Sequence, residues 1–253
     1  MDGEDQQQPG PALVAVDFTG STLRLLLATP EQELIVSERH ELPPLADEEA
    51  WAWEIGGRLS TLFARDEPYF ALGIGVACPG AVHPLRGVMT DSRAQEGWNE
   101  LHVVDALRRN INAPTLAMDR THAALRGEMT VGAALDVNDA IYVSLSEPTP
   151  TAAVLAAGTI VRGAHHRPGF LEAQDTAAAI QSIAVAAALL DTALVVIDAP
   201  EETVESTAES LQDALEASGA DAVVAVSELG DRAPLFGALE AASIVSYEGE
   251  REA

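Results

Sequence analysis

Short apolar runs of strand length alternate along this chain with longer stretches whose apolar residues recur at helical spacing. Residues 12–16 and 23–28 are β-rich runs that meet at Gly20, which predicts a hairpin whose turn carries Thr19, Ser21 and Thr22. Residues 33–42 read as a third strand. Residues 48–65 place Trp51, Ile55, Leu59 and Leu62 at helical spacing, a stripe that belongs to a core rather than to a ligand box. A strand at 71–77 stops at Pro79 and Gly80, and a polar loop follows to Trp98. A helical pattern at 100–110 then leads through Ala113 and Pro114 to a short strand at 115–118, which runs straight into a helix carrying Ala123, Ala124 and Leu125.

The theme restarts after Asn138. Strands are expected at 140–145, 152–157 and 159–161, followed by a polar segment at 162–174 and an Ala-rich, strongly apolar helix at 176–190. So little polar surface on that helix implies that it lies inside a lobe or in a subunit interface. A buried strand at 194–198, an amphipathic acidic helix at 201–218, a strand at 222–226 and a helix at 234–244 complete the pattern. The expectation is an α/β protein with a mixed sheet in each of two similar lobes. Residues 1–11 form a disordered tail, 12–118 the first lobe, 119–246 the second and 247–253 a second tail.

Composition narrows the function classes. A chain of 253 residues with 47% hydrophobic content can bury a core in each lobe. Its formal net charge is −26 and its 14 basic residues are all Arg. That field repels phosphate backbones and anionic lipid, which argues against direct nucleic-acid or membrane binding. Acidic excess with Arg in place of Lys also fits a GC-rich genome or a salt-tolerant host. The absence of Lys rules out a P-loop lysine and Schiff-base chemistry. Cys78 is the single cysteine, so neither a disulfide framework nor a Cys-based zinc site is expected, and beside Pro79 it reads as a small buried residue. No apolar run approaches membrane-spanning length, and the acidic, Gln-rich start is the opposite of a signal peptide, which gives a cytoplasmic expectation.

Any chemistry would centre on Asp119, at the junction of the 115–118 strand and the next helix. A carboxylate there can cap the helix, and it can also face the carboxyl end of a sheet, where open α/β folds bind ligands. Arg120 and His122 add nothing diagnostic to it. His165 and His166 could be metal ligands, but no Asp, Glu or Cys stands near them at ligand spacing, and a solvated loop is the favoured reading.

The ordered set of apolar strand, Pro79-Gly80-Ala81-Val82, Gly97-Trp98, amphipathic helix, Ala113-Pro114, strand, Asp119 and Ala123-Ala124-Leu125 resembles the ROK family of sugar kinases and repressors. The stretch 14–24 resembles that family's first phosphate motif, Asp-x-Gly-Gly-Thr, and residues 140–145 and 158–164 resemble the strand and hairpin flanking its second phosphate loop. The resemblance covers roughly residues 12–172, more weakly 175–246. It implies a two-lobe actin-like ATPase, ribonuclease-H-like fold with a shortened second lobe, and Asp119 as the general base toward a sugar hydroxyl if the protein is active.

Set against the family pattern, this sequence has diverged where phosphate and sugar would bind. The family's Gly-rich loop falls on residues 146–152, which hold no Gly, two Pro and the acid Glu147. Asp198, Ala199 and Pro200 stand at the second Gly-rich turn. Of the first phosphate turn only Asp17, Gly20 and Thr22 remain, with Thr19 in a glycine position. The family's Asn before the base is Met118, its loop Asn is replaced near Gln95, and its Gly-Glu-x-Gly-His motif falls on residues 169–173, with Glu172 a displaced acid at most and Ala173 at the zinc-binding His. The resemblance therefore implies a binding or regulatory module without ATP, Mg or zinc, acting as a homodimer or paralogue heterodimer, with a sugar or another small molecule as its ligand. The alternative is an ATP- and Mg-dependent kinase of glucose type acting on a hexose hydroxyl through Asp119. A repressor role would need a DNA-binding segment ahead of residue 12, so DNA contact would pass through a partner.

Overall fold

β1 (Gly10–Phe18) is buried from Ala12 onward because it lies in the middle of a sheet. It pairs antiparallel with β2 (Thr22–Ala28), which pairs antiparallel with β3 (Leu34–Glu41) at the edge. On its other side β1 runs parallel to β4 (Tyr69–Cys78), and β7 (Thr115–Asp119) completes the order β3-β2-β1-β4-β7. The computed structural model describes residues 8–65, 67–92, 98–146, 149–164, 169–171, 173 and 175–252. Gly10 and Pro11, expected in the tail, pair in parallel with Tyr69 and Phe70, because β4 is long enough to carry the ladder back to them.

The chain divides into two units, residues 1–118 with 238–253, and residues 119–237. In the first, α1 (Glu48–Phe63) starts at Asp47, whose side chain accepts the Ala50 N–H at 2.9 Å. Its stripe of Trp51, Ile55, Leu59 and Leu62 is buried in one core with Val14, Val16 and Leu25. The Phe18 ring lies 5.1 Å from that of Trp51 and 5.5 Å from that of Trp98, and the Trp98 indole N–H donates to the Leu45 carbonyl. Residues 80–92, at the start of what was expected as a polar loop, form a hairpin of β5 (Gly80–His83) and β6 (Val88–Ser92), with Val82, Val88 and Met89 buried. α2 (Val103–Arg108) is shorter than expected. Glu48 joins α1 to its start by accepting from the His102 backbone N–H and ring Nδ1 and from Arg109. Burial pushes the Glu48 carboxyl up, but those donors outweigh it and hold the group below its ordinary value.

The second unit repeats the connectivity. β8 (Ala140–Ser144) is central, the hairpin strands β9 (Thr151–Ala156) and β10 (Thr159–Val161) lie to one side, and β12 (Leu194–Asp198) and β13 (Val223–Val226) run parallel on the other. A two-residue strand, β11 (Gly169–Phe170), also pairs with β9. Strand alternation splits the core in two. Ile141, Val143, Val195 and Ile197 face α4 (Thr176–Leu190) and α5 (Val204–Ser218), whereas Ala140, Tyr142, Leu194 and Val196 share a cluster with Ala124 and Leu125 of α3 (Arg120–Val131). Burial on both faces is why the central parallel strands read as unbroken apolar runs.

α4 is neither fully inside nor polar outside. Ala179, Ile180, Ile183, Ala184 and Ala187 are buried, while Val185 is 63% and Leu189 83% exposed. Among the described residues no helix is long and apolar enough to cross a membrane.

α6 (Ala233–Glu252), preceded by a 3-10 turn at Gly230–Arg232, extends well past the expected end at 244 and through the expected tail at 247–253. Small residues set its packing. A Cβ on Gly75 would lie 1.8 Å from the Ala238 carbonyl oxygen, and one on Gly73 2.2 Å from that of Ala242. In the second unit, a Cβ on Gly237 would lie 1.8 Å from the Ala123 carbonyl oxygen. Backbone on backbone cannot yield as a side-chain tip can. Gly75→Ala is therefore expected to destabilise the protein by about 2 kcal/mol or more, read from the urea midpoint. An unchanged midpoint would mean that α6 can slide on β4.

Candidate functional site

The 115–119 strand passes into α3 without a loop, so Asp119 is both the last residue of β7 and the N-cap of the helix. Its Oδ1 accepts the His122 backbone N–H at 2.9 Å, and its Oδ2 meets the Nδ1 of the same histidine. The other ring nitrogen, Nε2, lies 3.1 Å from the Val161 carbonyl. A carbonyl can only accept, so Nε2 carries a proton, and the carboxylate takes the proton on Nδ1. His122 is thus a charged imidazolium in a nearly buried ion pair, with Asp119 3% and His122 8% exposed. Burial pushes the imidazole toward its neutral form. The Asp119 charge and the hydrogen bonds to Asp119 and Val161 outweigh that, and Arg162 opposes them, leaving the His122 pKa above its ordinary value.

His122 therefore does have a role, where sequence reasoning gave it none. The signal was its spacing of three from an N-cap acid, which places it over the cap. Thr121 adds a hydrogen bond to Thr151 of β9 at 2.9 Å. Chemically this arrangement holds a proton between fixed partners; Asp119 has both oxygens engaged by His122.

The other resemblance-based positions lie in their expected turns. Asp17 and Arg24 are direct cross-strand partners, joined at 2.9 Å with Asp17 1% exposed. In the turn between them, the Thr19 hydroxyl accepts the Thr22 amide at 3.1 Å and the Ser21 amide at 3.4 Å, and the Thr19 amide donates to the Thr22 carbonyl at 2.8 Å. The Thr19 side chain, at a family glycine position, turns these donors inward beside Gly20. In the second unit the carboxyl ends of β8 and β12 meet at Asp198, which accepts from Ser144 at 2.9 Å and Ser146 at 3.3 Å.

Among the described residues no group of three His, Cys, Asp or Glu could hold a metal ion. Cys78 is buried. Gln95, Glu147, His165, His166 and Glu172 lie outside the described residues.

Glu128, which sequence reasoning passed over, is fully buried at the far end of α3. It accepts from the Ala133 amide at 2.7 Å, from the Leu229 amide at 3.1 Å and from the Ser227 hydroxyl. Gly132 leaves room for it, since a Cβ there would lie 2.2 Å from the carboxylate.

No protein-family model and no curated protein matches the sequence. Solved structures do match. A ROK hexokinase from Thermus thermophilus aligns with a TM-score of 0.76 at 17% identity, over 96% of this chain and 100% of that one. A ROK family transcriptional regulator described as a homologue of the E. coli MLC protein aligns at 0.79 and 13% identity, over 94% and 79% of the two chains. A ROK family glucokinase from Streptomyces griseus, in complex with glucose and AMPPNP, aligns at 0.72 and 14% identity, over 91% and 99%. The shared property is the fold, and this chain has the actin-like ATPase fold of ROK sugar kinases and regulators.

The ion pair makes stability depend on pH with a definite sign. Because the His122 pKa is raised in the folded state, its contribution is complete below the unfolded value near 6.5 and is lost as pH rises through the folded value. Chemical denaturation on the alkaline side should show this fall in the native protein. His122→Ala should cost about 3–5 kcal/mol at slightly acidic pH and flatten the alkaline limb. A limb of unchanged slope in the variant would assign the titration to another group.

Proposed function

We propose that this protein is a ROK-like binding or regulatory module that does not transfer phosphate from ATP to sugar. The observation that carries the reading is the engagement of Asp119. A general base must be within reach of the sugar hydroxyl, and here both carboxylate oxygens already accept from His122 and Asp119 is only 3% exposed, which leaves a hydroxyl little access. The His122 ring is no substitute base, since each of its nitrogens already donates, one to Asp119 and one to Val161.

Mg-ATP does not fit the residues at the family's phosphate positions either. Phosphate needs free amide donors and positive charge. The Ser21 and Thr22 amides point to Thr19, Asp17 is paired with Arg24, and Asp198 places a carboxylate beside Ser144 and Ser146. The second reading, an ATP-dependent hexose kinase with atypical phosphate contacts, is favoured by the position of Asp119 at the strand-to-helix junction and by fold likeness to a hexokinase and a glucokinase. A coupled assay decides between them. With Mg-ATP and glucose, mannose or N-acetylmannosamine, ADP release should stay at background. Sugar-dependent ADP release that Asp119→Asn abolishes would overturn the proposal and establish the kinase.

The module's partner in this proposal is a second copy of the chain or a close paralogue, docked on the exposed apolar side of α4 at Val185, Leu189 and Leu190. A charge of −26 on each copy opposes association at low ionic strength, since the repulsion extends over about 10 Å in 0.1 M salt. Light scattering across a salt series should show a dimer that tightens with salt and is lost in Leu189→Glu. A monomer at every salt and protein concentration would remove α4 as an interface.

A further inference from the structure

Little holds β10 in place. It has three residues, stands at the edge of its sheet and is registered on β9 alone, from Thr159 to Val161. Thr159 and Val161 are exposed, and only Ile160 packs against the apolar cluster beneath. A cleft of about 560 Å³ opens between the strand and α3, so side-chain packing does not fill that space. Among the described residues one side-chain hydrogen bond ties β10 to α3, that between His122 Nε2 and the Val161 carbonyl at 3.1 Å.

That bond exists in only one protonation state. Both ring nitrogens face acceptors, so both contacts require the doubly protonated imidazolium. When one proton leaves, the other stays on Nδ1, because a hydrogen bond to a carboxylate is stronger than one to a neutral carbonyl. Nε2 then turns a lone pair toward the Val161 oxygen, and the contact changes from attractive to repulsive. Among the described residues the charges that act on the ring are Asp119, at the cap of its own helix, and Arg162, just past the end of β10. β9 carries no ionisable side chain, and β8, which also packs on α3, carries Tyr142 alone.

We propose that His122 is a pH-operated latch on β10: the imidazolium holds the strand at Val161, and the neutral ring releases it, freeing the outer edge of β9 and opening the cleft behind. The sign follows from the folded state, which raises the imidazole pKa above its ordinary 6.5. The latch is therefore closed at and below the ordinary value and opens as pH rises through the raised one. Opening is confined to the edge strand, where few apolar contacts resist it, and leaves β8 and β12 paired.

The latch holds whether or not the protein transfers phosphate. Amide hydrogen exchange of the full chain across a pH series, corrected for the intrinsic rise of exchange with pH, reads it directly. Protection of the β9–β10 pairing should fall by roughly tenfold or more, at the pH where NMR of the imidazole nitrogens shows His122 losing its Nε2 proton. Protection of β12 should not change over that range. Arg162→Ala, at an exposed position, removes a charge that opposes protonation and should move both transitions to higher pH. His122→Gln should abolish the pH dependence, and the comparison of ring with strand in the native protein decides the matter even if that variant does not fold. Constant β10 protection, loss of the Nδ1 proton first, an equal fall in β12, or transitions that Arg162→Ala leaves in place or lowers would each overturn the latch.

Discussion

One carboxylate at the end of β7 answers two demands that the fold makes at the same point. The first amide groups of α3 have no partner inside the helix, and Asp119 supplies one by accepting from His122. The carboxylate is also nearly inaccessible to water, so its charge needs a counterion, and His122 supplies it from three residues along the same helix. The Asp119 charge does most to keep that counterion protonated, and the Val161 carbonyl at its far nitrogen adds to the effect. Cap, ion pair and strand contact thus meet at one histidine. At the other end of α3, Glu128 binds the Ala133 and Leu229 amides and the Ser227 hydroxyl. The helix that opens the second unit is thus pinned at both ends by buried acids, with the apolar cluster around Leu125 and Tyr142 filling the space between.

What the sequence made legible followed from periodicity. The helix at 176–190 and the strand at 194–198 stand where expected, because largely apolar runs bounded by Asp175, Asp191 and Asp198 leave little choice of boundary. The antiparallel hairpin opening each unit was legible from its turn residues. The β5–β6 hairpin was not, since its strands are short and separated by Pro84, Leu85, Arg86 and Gly87, which read as loop. The polar end of α6 misled in the same way, because Glu248, Glu250 and Arg251 carry no apolar period. Of the candidate site, Asp119 and the turn from Asp17 to Arg24 were visible as motif positions. The partners that decide what they can do were not, because a motif records where an acid stands and says nothing of which donor folds against it. His122 and Glu128 belong to that second kind of information.

The acidity of the chain takes a different meaning once its interior members are placed. Composition alone assigns a charge of −26 to a solvated surface. Asp17, Asp119 and Glu128 are buried, and each has a donor or a cation directed at it. Asp47 and Asp175 cap α1 and α4 through the Ala50 and Ala178 amides. Several acids therefore organise backbone that would otherwise present unpaired amides, a task that does not depend on host or salt.

A phosphate site works by holding donors unsatisfied until the ligand arrives, and that state costs stability which the rest of the fold must supply. In this protein the corresponding donors are satisfied within the chain. Thr19 takes the amides of its own turn, Arg24 takes Asp17, and two serines take Asp198. Thr19→Gly would release the Ser21 and Thr22 amides but would leave Asp17 bound to Arg24, so no single substitution frees both. What holds the architecture is steric: Gly73 and Gly75 against α6 in one unit, and Gly127 and Gly237 between α3 and α6 in the other, permit approaches that any Cβ would block. Such contacts hold the fold by packing, whatever its clefts bind.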